Sequence, residues 1–230
     1  MSNRQKKKRP SVSVESAEKY TSISVHGKTE KVSEKIKIRN TPILWGLPMD
    51  EVLFSKFLQV FFKNSYMMPW DGFAFTESTY LPDARNTIHK SFITDCNHKY
   101  LMMLDSDIMF PPHTAERLMA HNLPVVCGWY KNKAVLYPPH PIVYDYIGND
   151  TGKNLWKHRN EPGKGLEKVD GVGMGCMLMS REVAITLGTT PYNTQDGGED
   201  LNVCYKMREA GIPIYVDWDI NCAHIGVRWV

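Results

Sequence analysis

The sequence lacks several features that would have placed it in other classes of protein. Its 230 residues contain no run of 18 or more apolar residues, which argues against a membrane-spanning helix. No apolar segment follows the basic start, which argues against a secretory signal. The five cysteines are odd in number and show no Cys-x-x-Cys spacing, so neither a disulfide scaffold nor a zinc site is expected. We therefore expect a reduced, cytoplasmic chain.

Charge is distributed unevenly along the chain. Residues 1–39 contain 11 Lys/Arg and 4 Asp/Glu, a net charge of +7, whereas the remainder carries −4. The start is rich in Lys, Ser and Glu, which predicts a disordered basic tail at 1–38 and one folded domain at 39–230. The basic run from Arg4 to Arg9 has two interpretations: a solvated leader, or a segment that contacts nucleic acid or another anionic surface.

Beyond the tail, strand-like and helix-like segments alternate. Four apolar runs predict strands, at 41–48, 72–76, 100–104 and 124–130. Apolar residues at helical spacing lie between them, so we predict an α/β fold with a mostly parallel central sheet flanked by helices. Residues 131–165 are rich in Pro, Lys, Asn and Gly, and we predict an irregular excursion there with one short strand at 142–144.

Two carboxylates lie at the end of the third predicted strand. Asp105-Ser106-Asp107 follows the apolar run Tyr100 to Leu104, so both acids are expected at one rim of the sheet. Ligands of open α/β sheets bind at the carboxyl ends of strands. Hard oxygen ligands at that rim suit Mg²⁺ or Mn²⁺ shared with a substrate phosphate. The alternative is a pair of acids that only caps the following turn.

Three further features lie in the second half of the chain. Residues 169–179 alternate glycine with larger residues and then become a strand, which suggests close approach of a ligand or of another backbone. Residues 197–200, Gly-Gly-Glu-Asp, begin a predicted helix that ends near Gly211, although acids in a first turn also simply complement the helix dipole. His224 is either a structural histidine or a metal ligand, depending on whether it lies near Asp107.

In this order, these features resemble those of metal-dependent nucleotide-sugar glycosyltransferases of the GT-A fold, of the family 2 type. The resemblance spans about Thr41 to Gly226 and implies a single GT-A (Rossmann-like) domain, a nucleotide-diphosphate sugar donor, and Mn²⁺ or Mg²⁺ as cofactor. It implies three metal-binding residues, namely Asp105, Asp107 and His224. Some relatives carry a sulfur ligand three residues before this histidine, where the present chain has Asn221.

The same resemblance implies roles for the remaining polar residues. Asp200 would be the general base of an inverting transfer, and Glu199 would orient the acceptor or the donor sugar. The implied donor-binding residues are Arg85, Asn86, Asp105, Ser106, Asp170, Gly173 and Gly175. The implied acceptor-binding residues are Gly198 and Glu199. Only six residues follow His224, so we expect further acceptor contacts from residues 131–165, the tail or another chain.

Three hypotheses about the function stay open at this point, and the first two differ in the acceptor of the sugar. The acceptor is a saccharide, a lipid-linked sugar or a protein in the first hypothesis, and a modified base of DNA in the second, which the basic tail motivates. The third hypothesis is a non-catalytic module that binds sugar nucleotides. A retaining mechanism also remains, because a fold does not determine stereochemistry.

Overall fold

The chain divides into two units, Met1–Ile38 and Arg39–Val230. The computed structural model describes a set of ranges with gaps between them: 21–25, 28–32, 40–49, 54–77, 80–133, 139–195 and 197–225. In the first unit, strands β1 (Thr21–Val25) and β2 (Lys28–Val32) pair antiparallel. The β-branched residues of β1 favour an extended backbone. The basic run Arg4–Arg9 lies outside the described residues.

The second unit alternates strands and helices along the chain, in the order that the sequence predicts. Its strands are β3 (Ile43–Met49), β4 (Gly72–Glu77), β5 (Tyr100–Leu104), β6 (Ile108–Met109), β7 (Val125–Trp129), β8 (Val143–Asp150), β9 (Lys153–His158), β10 (Leu166–Val169), β11 (Gly171–Val172), β12 (Cys176–Ser180), β13 (Ile214–Asn221) and β14 (Ala223–His224). Its helices are α1 (Ser55–Asn64), α2 (Leu81–Thr94), α3 (Thr114–Ala120), α4 (Arg181–Leu187) and α5 (Glu199–Glu209). None of the helices in the described ranges is long and apolar enough to cross a membrane.

Seven strands form the central sheet, in the order β10-β13-β7-β12-β5-β3-β4. Strands β4, β3, β5, β7 and β13 run in one direction, and β12 and β10 run in the other. The prediction of a mostly parallel sheet between helices is therefore confirmed. Because β12 is antiparallel to both its neighbours, its amino end lies beside the carboxyl end of β5, where Asp105 follows.

Each face of the sheet buries its own apolar core. Alternate residues of the strands point to opposite faces, so Leu101 and Met103 join one core while Met102 and Leu104 join the other. Helices α2, α4 and α5 cover the first face, and α1 and α3 cover the second. Arg181, which directly follows β12, holds the end of α2 against the sheet. Its guanidinium donates hydrogen bonds to the carbonyl oxygens of Phe92 and Ile93, at 2.6 and 2.7 Å.

The prediction for residues 131–165 was wrong in one respect. Instead of one short strand, β8 and β9 form an antiparallel hairpin that joins β11 in a three-stranded sheet. Thr151 and Gly152 both have positive φ, at 48° and 84°, as a two-residue type I′ turn requires. The valine, isoleucine and tyrosines of β8 favour this extended structure. The prediction missed the hairpin because it relied on the overall Pro, Lys, Asn and Gly content of residues 131–165.

Candidate active site

The carboxyl edge of the sheet brings together residues that are far apart in the sequence. Asp105 and Asp107 lie in the turn between β5 and β6. β14 pairs antiparallel with β6, with His224 opposite Ile108, and the Ile225 N–H donates to the Asp107 carbonyl at 2.8 Å. The last strand of the described chain therefore carries His224 to the acidic pair.

The side chains of Asp107 and His224 face each other across a gap that suits a cation. His224 Nδ1 lies 2.9 Å from the Lys131 carbonyl oxygen, which can only accept, so Nδ1 carries the proton. In neutral imidazole, Nε2 is then an acceptor, and it lies 3.5 Å from Asp107 Oδ1. Two acceptors in this arrangement are stabilised by a cation between them.

Lys133 already provides one positive charge at this position. Its ammonium contacts Asp107 Oδ2, on the other oxygen from the one that faces His224. Burial alone would raise the pKa of Asp107, but its neighbours His224 and Lys133 outweigh that effect and the pKa is lowered. Asp107 is consequently held as a carboxylate, the form that binds metal.

A buried arginine lies at the centre of the second part of the site. The Arg85 side chain is only 1% exposed, and its Nη2 lies 3.0 Å from Asp105 Oδ1. The same guanidinium lies 3.8 Å from Glu199 Oε1 and 3.7 Å from Asp200 Oδ1. Burial disfavours its charge, but Asp105 and Asp200 outweigh burial and the pKa of Arg85 is raised. One guanidinium therefore compensates three carboxylates only in part.

The first turn of α5 carries two of these carboxylates. Gly197 and Gly198 before it have φ of 108° and 107°, a conformation that side chains oppose. The pKa of Asp200 is raised to about 7, because burial and the charges of Glu199 and Asp105 raise it and together outweigh Arg85, which lowers it. Burial also raises the pKa of Asp105, against the pull of Arg85.

Two buried carboxylate oxygens lack partners within the described residues. Asp105 Oδ1 and Asp200 Oδ1 are inaccessible to solvent and accept no hydrogen bond there, although both lie within ion-pair distance of Arg85. Unsatisfied buried acceptors are costly, and they mark positions where a donor or a cation would bind favourably. The cluster therefore has carboxylate oxygens whose hydrogen-bonding capacity is not used by the described residues.

The three predicted metal ligands do not converge as one set. Within the described ranges, no group of three or more His, Cys, Asp or Glu side chains is arranged to hold a metal ion. Asp107 and His224 face each other, whereas Asp105 forms an ion pair with Arg85. Two protein ligands still fit Mg²⁺ or Mn²⁺, because such ions often bind one or two side chains and take the rest of their shell from substrate phosphates and water.

Two of the predicted donor-binding residues have other partners. Asn86 donates to the Tyr192 carbonyl at 2.8 Å and accepts from the Tyr192 N–H at 2.9 Å, so it ties α2 to the segment before α5. Asp170 accepts from the Tyr146 N–H at 3.0 Å and pairs with Arg208 at 3.4 Å. It borders a cavity of about 390 Å³ that includes none of the acids near Arg85. In the structure both side chains are therefore engaged by other groups of the protein.

The two glycines predicted to contact the donor pack against protein atoms. A Cβ at Gly173 would lie 2.3 Å from the Tyr130 hydroxyl oxygen, and one at Gly175 would lie 2.7 Å from it and 2.8 Å from Asp105 Oδ2. The Gly175 N–H donates to that hydroxyl at 3.0 Å. The close approach that the sequence predicted is therefore made by Tyr130. Ser106 is half-buried in the turn beside Asp105, as expected from its position.

Sequence reasoning missed four contributors to the site. Tyr130 and Lys133, and the carbonyl of Lys131, all come from the segment that follows β7, and no local pattern distinguishes them. Tyr144 lies close enough to Asp200 for that charge to add to the effect of burial, and its pKa is raised. For Tyr130, Lys131 and Lys133, only their position after a strand that ends at the carboxyl edge could have indicated them.

This arrangement of helices and of a sheet with one reversed central strand is the GT-A fold. No family model matches the sequence, and no curated protein matches it. The crystal structure of A197 from STIV is similar, with a TM-score of 0.58, 16% identity, and coverage of 80% of this chain and 85% of that one. The crystal structure of GalNAc-T7 with UDP, GalNAc and Mn²⁺ is also similar, with a TM-score of 0.57 and 13% identity over 82% of this chain. The present chain spans 43% of the GalNAc-T7 chain.

Proposed function

We propose that the chain is a metal-dependent glycosyltransferase that moves a sugar from a nucleotide-diphosphate donor to a hydroxyl acceptor, with inversion. The observation that carries this proposal is the excess of buried carboxylate around Arg85, next to the pair of facing acceptors at Asp107 and His224. Glycosyl transfer develops positive charge on the sugar ring, which nearby carboxylates stabilise. The fold and the Mn²⁺ and UDP in the GalNAc-T7 structure support the donor class.

The protein residues have distinct tasks in this mechanism. Asp107 and His224 would hold Mn²⁺ or Mg²⁺, which supplies Lewis-acid stabilisation of the departing diphosphate. Asp200 removes the proton from the acceptor hydroxyl as that oxygen bonds to the anomeric carbon and the bond to the donor phosphate breaks. Glu199 lies beside Asp200 in the same helical turn and would orient the acceptor. The proton ends on Asp200 and the electron pair on the diphosphate.

The ionisation of Asp200 suits a general base. A base is most effective when its pKa lies near the working pH, and burial among acids raises the pKa of Asp200 to about 7. Arg85 opposes that rise in pKa, because its guanidinium lies 3.7 Å from Asp200 Oδ1. Because Met174 donates a backbone hydrogen bond to Asp200, the carboxylate also has a defined orientation.

Donor binding can be tested apart from catalysis. Nucleotide-diphosphate sugars would be screened by thermal shift with Mn²⁺, with Mg²⁺ and with chelator, since a ligand of the folded state raises the melting temperature. We expect one donor class to stabilise the wild-type protein only with metal, and Asp107→Asn to lose that shift. Glu209→Gln, an exposed substitution at the far end of α5, serves as the control. A shift that persists unchanged in Asp107→Asn would contradict the proposed metal ligand.

A further inference from the structure

The hairpin of β8 and β9 has one face made of rings and amides. Side chains two residues apart on a strand point to the same side of a sheet, and residues opposite each other in the ladder share that side. On β9 the residues of this face are Asn154, Trp156 and His158, and their partners on β8 are Asn149, Tyr146 and Tyr144. We call these six residues the aromatic face.

The charged residues of the hairpin lie on its other face. The two strands carry four of them, which the ladder pairs as Asp145 with Lys157 and Asp150 with Lys153. These pairs alternate with the rings along the strands, so they point to the opposite side. Arg208 of α5 touches the aromatic face over the Tyr146 ring, but its charge is paired with Asp170 at 3.4 Å. The aromatic face therefore offers rings, hydroxyls and amides, and it has no Lys, Arg, Asp or Glu of its own.

Two rings of the aromatic face are left with exposed surface near the candidate active site. Tyr146 lies under the guanidinium from α5, 4.5 Å from its ring centroid. The His158 ring stacks against His140, with centroids 4.1 Å apart. Trp156 and Tyr144 are diagonal neighbours across the ladder, and both are half-buried.

The Trp156 indole reaches from β11 to the start of α5. A Cβ at Gly171 would lie 2.9 Å from Trp156 Cζ3, and one at Gly197 would lie 4.0 Å from Trp156 Cδ1. Both glycines also lie against Leu201, the residue after Asp200. The five-membered ring of the indole therefore faces the turn that carries the proposed base.

The polar atoms of these two rings lie on the same side of the site. Burial raises the pKa of Tyr144, and the charge of Asp200 raises it further, which places the phenol near that carboxylate. Trp156 Nε1 is inaccessible to solvent and donates no hydrogen bond within the described residues. A buried donor without a partner is costly, so a ligand oxygen that reaches this nitrogen is bound favourably.

The chemistry of the aromatic face distinguishes between the acceptors that the sequence left open. A sugar ring has apolar C–H faces and hydroxyl groups at its rim, so it fits rings that carry a few hydrogen-bonding groups. A nucleic acid brings a phosphate with each nucleotide, and its binding depends on Lys and Arg contacts that this face lacks. The aromatic face therefore suits a neutral, hydroxyl-rich acceptor.

We infer that the acceptor is a neutral saccharide whose ring packs on Trp156 and Tyr144. One of its hydroxyls then lies beside Asp200, and another accepts a hydrogen bond from Trp156 Nε1. The inference rests on the proposed transferase function and adds the acceptor class to it. Trp156 determines acceptor specificity and takes no part in donor binding.

The test measures saccharide binding to the full chain by saturation-transfer NMR, which detects weak binding. The probes are lactose, cellobiose, maltose and diacetylchitobiose, each with Mn²⁺ and UDP and without them. Four proteins would be compared: the wild type, Trp156→Leu, Trp156→Phe and Trp70→Leu. Leucine keeps apolar packing against Leu201 but cannot stack, and phenylalanine keeps a ring. Trp70 is 40% exposed in the turn before β4, so its variant is the matched control.

We expect at least one of these sugars to bind the wild type and Trp70→Leu with equal affinity. Trp156→Leu should weaken that binding about tenfold or more, and Trp156→Phe should stay within about threefold of the wild type. The inference is overturned if none of the sugars binds the wild type in either condition, or if Trp156→Leu binds them as tightly. It is also overturned if an oligonucleotide of twelve thymidines or a Ser/Thr-rich peptide binds in their place with the same dependence on Trp156.

Donor binding provides the readout that separates this inference from the proposed function. The thermal shift given by nucleotide-diphosphate sugars with Mn²⁺ should be the same in all four proteins, because Trp156 contacts only the acceptor. A donor shift without saccharide binding would overturn the acceptor class and leave the transferase proposal standing. Saccharide binding without any donor shift would support the sugar-binding face and contradict the transferase proposal.

Discussion

Replacing Asp200 with asparagine should remove the proposed base while leaving the donor site intact. The amide has nearly the same volume as the carboxyl group, so the packing around Arg85 is retained. General-base catalysis typically contributes about 10²–10⁴-fold, which corresponds to ~3–5 kcal/mol in the barrier. We expect the turnover number to fall by this factor while donor affinity changes less than about threefold. Turnover would be followed by release of nucleoside diphosphate, and donor affinity by calorimetry.

The pH dependence of the same variant provides a second, independent measurement. Only deprotonated Asp200 accepts a proton, so the wild-type rate should rise with pH through about 7. The asparagine variant should lose that inflection. The exposed Glu209→Gln variant, on the same helix, should retain both the rate and the inflection.

Stability should change in the opposite direction from activity. The pKa of Asp200 is raised from 3.8 to about 7, so the folded state favours the protonated form. Its contribution to stability is full below the unfolded pKa and is lost as pH rises through 7. A shift of this size corresponds to about 4 kcal/mol, and solvent at the 26% exposed side chain reduces it to ~2 kcal/mol. At pH 8 Asp200→Asn should therefore be more stable to urea than the wild type. A variant that transfers sugar at the wild-type rate, or that is destabilised at pH 8, would refute the assigned role of Asp200.

Two other predictions concern the positive charges of the site. Lys133→Met should raise Mn²⁺ affinity, on the order of tenfold, because the ammonium competes with the ion for Asp107. The matched control is Lys131→Met, because residue 131 contributes only its backbone carbonyl to the site. Equal Mn²⁺ affinities of the two variants, in a titration followed by electron paramagnetic resonance, would contradict this competition. Arg85→Met should lower the free energy of unfolding by about 3–5 kcal/mol, because buried carboxylates lose their cation. The exposed Arg208→Met should cost less than about 1 kcal/mol in the same urea titration.

The sequence predicted the sheet and the position of its acids because those features depend on local patterns. An apolar run that ends in Asp105 specifies a buried strand and its exit, and Gly197-Gly198 before Glu199 specifies a helix start. Both predictions were confirmed in place and type. The meeting of His224 with Asp107 depends on the pairing of β14 with β6, which spans more than a hundred residues. Sequence patterns leave such long-range pairing open, and the resemblance supplied it instead.

Where a polar side chain can choose among several partners, the sequence alone does not determine which partner it takes. Asn86 was expected to contact the donor nucleotide, but the backbone of Tyr192 satisfies both ends of its amide. Asp105 was expected to bind metal, and in the structure its carboxylate also pairs with the guanidinium of Arg85, with Oδ1 3.0 Å from Nη2. Spacing along the chain reports which residues share an edge. The distances that decide between partners come only from packing in three dimensions.

The reciprocal bonds of Asn86 have a consequence for motion in the site. Arg85 and Asn86 are consecutive on α2. The Arg85 side chain pairs with a carboxylate of α5, and the Asn86 side chain binds the backbone of the segment that leads to α5. A rotation of α2 would move the base and its approach segment together. Substrate-driven closure that repositions Asp200 alone would first have to break both amide bonds. We therefore expect the distance between the Asp200 carboxylate and the Arg85 guanidinium to stay nearly constant through a catalytic cycle. Any rearrangement should then be confined to the side of the site that carries Asp107 and His224.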